Sequence, residues 1–373
     1  MKICFVVIEI GFFLSHRFAL AKAISNKHKV VLITDTSKAK PRDFLQLEDA
    51  GIEIIPLKKR QQSATLREYL RYVRELKKKI NTCTPEYIFF TGIEISMFGA
   101  LIHNLIGVKK SFFLITGLGP FFLPNNFKTR LFRAINKIAY LFLMFNKNFR
   151  FIFQNQNDMD IFLDKNISNK SNSLLISGSG INTKEFPFFE RDEKKELTFL
   201  FAARLVKSKG FNEFMEAGKI IMTKYPETKF VVAGKLDFEN PETISEKTYQ
   251  SLKDSKIEFF GEVSYEKMNN LYKQATIFVL PSYREGLPKA ALEAASTGMP
   301  LILTDVPGCR ECVEDNVNGY LIREKDSNDL ISKMEKIILN PEIIKPMSMS
   351  SRKIIEKRFS LNLISQEFLK LIN

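Results

Sequence analysis

"REGLPKAALEAASTGMP", residues 284–300, joins two apolar runs, "TIFVLPS" at 276–282 and "PLILTD" at 300–305. Both runs are short and nearly continuous in hydrophobicity, the pattern of a strand covered on both faces of a parallel sheet. Between them Glu285 and Gly286 form a turn and Pro288 marks the first turn of a helix. Ala290, Ala291, Leu292, Ala294 and Ala295 then give that helix a face small enough to pack closely. The stretch is a strand–helix–strand unit, and it decides the fold class. It also poses a question, because Glu285 stands at the mouth of the helix and Glu293 inside it. A charged glutamate is rarely buried without a partner. Glu293 therefore has either an internal partner or a ligand whose hydroxyls it accepts, and spacing alone does not decide between them.

The same rhythm extends outward in both directions. Residues 2–8, 29–34, 52–57, 86–91, 110–116 and 150–155 read as buried strands, separated by helical patterns such as "SHRFALAKAISNK" with Ser15 as its N-cap. The rhythm pauses over 173–196, a stretch of Ser, Gly, Pro and charge that reads as a linker. Strands resume at 197–203, 229–234, 257–261, 276–282 and 300–305, and 341–373 is wholly helical. The expectation is an α/β chain of two doubly wound domains, 1–180 and 197–355, with a linker at 181–196 and a last helix at 356–373. Ligands in such sheets bind outside the carboxyl ends of the strands, so two facing domains imply a cleft.

Composition narrows the class. At 373 residues, 45% hydrophobic and 26% charged, the chain suits two globular domains. Four cysteines are too few for a disulfide scaffold and point to a reducing compartment. The N-terminal run is interrupted by Glu9 and lacks a clean cleavage site, so it reads as a first strand rather than a signal peptide. The longest later apolar run, "IAYLFLMF" at 138–145, is too short to span a bilayer, which leaves a soluble or peripheral protein. Charge is uneven: residues 1–190 hold 28 basic against 15 acidic side chains, residues 191–373 hold 28 against 27. An anionic partner for the first half is expected, either nucleic acid or an anionic membrane surface.

Other motifs sit where strands end. "GFFLSH", residues 11–16, follows the first strand; Gly11 lets backbone approach a ligand, while His16 is open to a structural or a catalytic reading. "AARLVKSKGF", residues 202–211, places Arg204 and Lys209 between a strand and a helix, where two cations suit a diphosphate or simply face water. Asp158-Met159-Asp160 has D-x-D metal spacing but opens a helix, where Asp158 reads as a cap. Cys309-x-x-Cys312 has redox spacing without the surroundings of a redox or zinc site. No metal is expected.

Together these stretches resemble the retaining glycosyltransferases of family 4 (glycogen-synthase-like, group 1), which have the GT-B fold of two Rossmann-like domains. Residues 285–322 match the family's carboxylate signature and "ARLVKSKGF" its phosphate-binding signature. "LSHRFALAKAI" and "TGLGPFF" (116–122) look most like bacterial enzymes extending undecaprenyl-diphosphate-linked oligosaccharides for O-antigen, capsule or protein glycans. The resemblance implies transfer of a hexose or N-acetylhexosamine from a nucleotide sugar, of the UDP class, with retention, no metal and no other cofactor. It implies that Arg204 and Lys209 hold the donor diphosphate, Glu285 the donor sugar, Glu293 the ribose, and the backbone of Gly286 and Leu287 the distal phosphate. Gly11 would approach the phosphate, and the loops at Gly234, Gly261 and Val263 would flank the base.

Many relatives carry a histidine where this chain has Thr116, so Thr116, Gly117 and His16 are the acceptor-side residues, and the leaving phosphate itself is the family's proposed base. The last helix would cross back to the first domain. The basic stretch 125–150, with Lys128, Arg130, Arg133 and Lys137, would lie on the inner face of the cytoplasmic membrane; for the basic helix 67–79, membrane contact and a solvated face both stay open. The competing classes are a UDP-sugar 2-epimerase on a similar fold and a basic nucleic-acid-binding module, the latter without a zinc, helix-turn-helix or RNA signature.

Overall fold

The computed structural model describes residues 1–58, 66–118, 130, 137–141, 143, 147–191, 196–236, 240, 242–253 and 255–372. The chain divides into two compact units, residues 1–180 with 361–373, and residues 181–360.

The first unit is built on β1 (Lys2–Glu9), β2 (Lys29–Asp35), β3 (Ile52–Pro56), β4 (Tyr87–Thr91), β5 (Lys110–Ile115), β6 (Phe149–Phe153) and β7 (Ser173–Leu175). They form one parallel sheet in the order β3-β2-β1-β4-β5-β6-β7. Strand side chains alternate between faces, and both faces are buried. Cys4 and Val6 of β1 enter one apolar cluster with Leu76, Ile80 and Phe98, while Ile3, Phe5 and Val7 enter another with Leu20, Ile24 and Phe368. That two-sided burial is why these strands read as continuous apolar runs.

The second unit repeats the plan with β8 (Thr198–Ala202), β9 (Lys229–Ala233), β10 (Glu258–Gly261), β11 (Ile277–Leu280), β12 (Leu301–Thr304) and β13 (Gly319–Ile322). Its parallel order is β10-β9-β8-β11-β12-β13. In each sheet the order reverses between the first strand and the fourth, β1/β4 and β8/β11. Such a switch point opens a crevice at the carboxyl ends of the two strands.

Several sequence expectations need correction. Residues 181–191 of the expected linker 181–196 are not free: Ile181 donates to Phe359 O at 2.8 Å and forms a bridge with Ser360, and Ile181 and Phe186 are buried in the second unit's core. The second unit thus starts at 181 and ends at 360, and the returning helix is Leu361–Ile372 rather than 356–373. Ser15 does not cap a helix. It lies in the last turn of Ile10–His16, its hydroxyl donating to Gly11 O at 2.8 Å, and a second helix, Phe18–Ser25, starts after the buried Arg17. The short strands β7 and β13 were not anticipated.

Candidate active site

The carboxyl ends of β8 and β11 bring Lys209 and Glu285 together. After β8 the chain makes a tight turn, Lys207–Lys209, closed by Gly210 in a left-handed conformation (φ 72°) before the helix Phe211–Lys224. Only glycine fits there, because a Cβ would lie 2.0 Å from Pro281 O. The loop after β11 thereby packs directly on the loop after β8, and Tyr283 N donates to Ser208 O at 2.9 Å. The result is a short ion pair: Lys209 Nζ lies 2.5 Å from Glu285 Oε1. The buried Ser282 hydroxyl donates to the same oxygen at 2.8 Å. The Glu285 side chain is 9% exposed and that of Lys209 is 21%, so the pair is screened from bulk water yet reachable. Arg204, just after β8, is exposed.

Glycines shape the floor. A Cβ on Gly234 would lie 1.9 Å from Ala203 O, and Gly234 N donates to Gly261 O at 2.8 Å, which draws together the ends of β8, β9 and β10. Gly261 itself is left-handed (φ 63°), and Val263 packs half-buried on the core.

Glu293 answers the question raised by the sequence. It is 7% exposed within the helix Lys289–Ser296, and both its oxygens have internal partners. Tyr272 O–H donates to Oε2 at 3.1 Å and Lys289 Nζ lies 3.0 Å from Oε1. The buried acid is thus satisfied by the fold itself. Gly286 and Leu287 precede the helix, whose N-cap is Pro288.

In the first unit, Gly11 is exposed and a Cβ there would meet no atom within 4 Å, so packing does not demand a glycine. His16 stacks on Phe12 (centroids 4.4 Å, 7° between planes), and its Nδ1 lies 2.7 Å from Ser15 Oγ. Thr116 and Gly117 follow β5 and are half-buried, Gly117 with φ 135°. Arg130 and Lys137 are exposed; Lys128 and Arg133 lie outside the described residues.

The D-x-D and C-x-x-C stretches are both built into the fold. The cap of the helix Gln156–Asp164 is Asn155, not Asp158: Asn155 Oδ1 accepts from Asp158 N at 2.8 Å while Asn155 Nδ2 donates to Asp158 Oδ2 at 3.1 Å. Burial raises the Asp158 carboxyl from its usual value to about 6. Cys309 and Cys312 are free and fully buried, and burial pushes both thiols well up, which makes them poor nucleophiles. Among the described residues no group of His, Cys, Asp and Glu is arranged to hold a metal ion.

Residues 182–354, nearly the whole second unit, match the family of glycosyl transferases group 1. The second unit is a group 1 glycosyltransferase domain. The chain is 28% identical to the N,N'-diacetylbacillosaminyl-diphospho-undecaprenol alpha-1,3-N-acetylgalactosaminyltransferase of Campylobacter jejuni, covering 96% of this chain and 97% of that enzyme. It is 27% identical to the UDP-Gal:alpha-D-GlcNAc-diphosphoundecaprenol alpha-1,3-galactosyltransferase of Escherichia coli, over 50% of this chain and 51% of that one. Sucrose-phosphate synthase from Thermosynechococcus elongatus superposes with a TM-score of 0.80 at 16% identity, covering 100% of this chain and 98% of that one. Anabaena HepE, solved with UDP and glucose, gives 0.79 at 15% identity, covering 100% and 99%. At such identities the likeness is one of fold, and the transferase has the GT-B fold of two Rossmann-like units.

Of the residues the sequence singled out in the second unit, Lys209 and Glu285 meet at the β8/β11 switch point, Arg204 follows β8, and Glu293 bonds to Tyr272 and Lys289. What local reading missed are the side chains that bond to them, Ser282 to Glu285 and Tyr272 to Glu293, and Glu242, which bonds to Ser208 and Arg284 in their loops. Ser282 stands three residues before Glu285 at a strand end, a signal that was available. Tyr272 and Glu242 come from distant segments and carry no local signal.

Proposed function

We propose that this glycosyltransferase moves a hexose or N-acetylhexosamine from a nucleotide sugar of the UDP class onto a saccharide carried by undecaprenyl diphosphate, with retention of the α configuration. The observation that carries the reading is the Lys209–Glu285 pair at the β8/β11 switch point, inside the region that matches group 1. The activities of the Campylobacter and Escherichia relatives, both α-1,3 transfers onto diphospho-undecaprenol saccharides, support the acceptor class.

In this reading the donor diphosphate takes up the Lys209 ammonium, with Arg204 alongside. The two cations offset charge that grows on the leaving phosphate as the bond to the sugar breaks. No metal is invoked for that task. Glu285, released from Lys209, accepts hydroxyls of the donor sugar near the reacting carbon, and Glu293 reaches the ribose at the other end. The Gly286–Leu287 backbone faces the distal phosphate, and Gly234, Gly261 and Val263 border the base. The acceptor hydroxyl attacks the face from which UDP departs, and its proton passes to the leaving phosphate. No protein nucleophile is needed. In the first unit, His16, Thr116 and Gly117 serve the acceptor.

The basic first half fits an anionic bilayer, at the inner face of the cytoplasmic membrane, where such an acceptor resides. Among the described residues no helix is long and apolar enough to cross a membrane.

The test is a donor screen across UDP- and GDP-sugars, with and without a lipid-linked acceptor, with product analysis to separate transfer from sugar epimerisation. Glu285→Ala and Lys209→Ala should each lower transfer by about a hundredfold or more with the fold intact. Near-normal turnover in either variant would sink the assignment.

A further inference from the structure

Beside the Lys209–Glu285 pair stands a second carboxylate that no signature predicts. Glu242 comes from the loop after β9, and its Oε2 accepts two bonds, from Ser208 Oγ at 2.5 Å and from an Arg284 guanidinium nitrogen at 2.9 Å. Ser208 is the chain neighbour of Lys209, and Arg284 is the neighbour of Glu285. One oxygen thus ties together the two loops that present the two charged side chains of the site.

The Glu242 backbone is itself fixed. Its carbonyl accepts from Lys207 N at 2.8 Å, its N–H donates to Asn240 Oδ1 at 2.9 Å, and the next residue, Thr243, bridges antiparallel to Val206. Ile244 N adds a bond to Leu205 O at 3.2 Å. Residues 242–244 therefore lie along 205–207, which fixes the backbone from which the carboxylate reaches Ser208 and Arg284. Ser208 is 8% exposed, whereas the Arg284 and Glu242 side chains are 36% and 33% exposed. An ion pair so open to water contributes little to stability. Its geometric effect is another matter, because a small misplacement of a binding group is felt strongly at a reacting centre.

We propose that Glu242 is a positioning residue of the transferase: it sets the spacing between the Lys209 turn and the Glu285 loop, acting through Ser208 and Arg284. The inference rests on the reading of Lys209 and Glu285 as the donor site.

UDP itself serves as the probe, titrated calorimetrically into the full chain in wild-type and Lys209→Ala backgrounds. Glu242→Ala should weaken UDP binding by about tenfold in the wild-type background, and by less than twofold where Lys209 is already absent, since a residue that acts by placing Lys209 has nothing left to place. Glu242→Gln, whose amide oxygen still accepts from both partners, should restore most of the affinity. The melting temperature should scarcely move in either variant. Unchanged UDP affinity in Glu242→Ala, or an equal loss in both backgrounds, would overturn the proposal and leave the donor site standing. Wild-type protein that binds neither UDP nor GDP would instead overturn the donor-site reading, and the inference with it.

Discussion

Gly308 is pressed against the carboxylate loop: a Cβ at Gly308 would lie 2.6 Å from Glu285 O and 2.5 Å from Gly286 O. The helix Pro307–Arg310 after β12 therefore backs the loop that carries Glu285. Because the obstructing atoms are backbone, Gly308→Ala must move the loop. Donor turnover should fall by about tenfold or more, with a stability loss of about 1–3 kcal/mol from overpacking. Turnover assays beside thermal melts would show both, and an unchanged rate would mean the loop's position is not critical.

Tyr272→Phe should expose how Glu293 is tolerated in its helix. The change removes the donor to Glu293 Oε2 and leaves Lys289 as that carboxylate's ion-pair partner. Leaving a buried acceptor short of a partner costs about 1–3 kcal/mol. The loss should appear in urea unfolding and should shrink when Glu293 is also replaced by Gln.

The protein's acid side should carry the mark of Asp158. Its folded carboxyl titrates at about 6, raised by burial from 3.8, so the folded state holds the proton more tightly than the unfolded chain. The contribution to stability is therefore full below pH 3.8 and is lost as the pH rises through about 6. Asp158→Asn, which cannot ionise, should gain stability over wild type between pH 5 and pH 7, by on the order of 2 kcal/mol. Parallel melts across that range would reveal the crossing, and a constant difference would refute it.

On the helix Leu66–Cys83, Tyr72, Leu76, Ile80 and Cys83 are buried, while Arg67, Arg71, Arg74 and Lys78 are exposed with Leu70, Glu68 and Glu75. Each cation near an anionic lipid surface contributes about 1 kcal/mol. Replacing Arg67, Arg71 and Arg74 with Gln should weaken sedimentation with phosphatidylglycerol vesicles by roughly a hundredfold and leave UDP binding alone. Unchanged sedimentation would return this helix to a solvated face.

Strands covered on both faces were legible because burial demands unbroken apolar runs, as in β1 and β2. β7 and β13 were not, being only Ser173–Leu175 and Gly319–Ile322 amid Ser, Gly and Asn. β13 opens on a glycine for a reason no local pattern states: a Cβ at Gly319 would lie 1.9 Å from Leu301 O of the neighbouring strand. At the site, Arg204, Lys209 and Glu285 stood out because their types and places after strands match a known signature. Glu242 did not, since its partners Ser208 and Arg284 lie 34 and 42 positions away along the chain. Similarly, the stretch 181–196 looked like a linker by composition, yet Ile181 and Phe186 are core residues, and only the three-dimensional pairing with 359–360 shows it.

The helix Leu361–Ile372 completes the first unit's core through Ile364, Phe368 and Ile372, with the Phe368 ring 5.8 Å from that of Phe89 on β4. On the ribosome, domains fold as units and the N-terminal one generally comes first. Here the unit of residues 1–180 lacks part of its apolar filling until residues 361–372 are synthesised, after residues 181–360. The unit of residues 181–360 is thus free to mature ahead of the other, and truncation at Ser360 would injure the unit of residues 1–180 rather than the unit next to the cut.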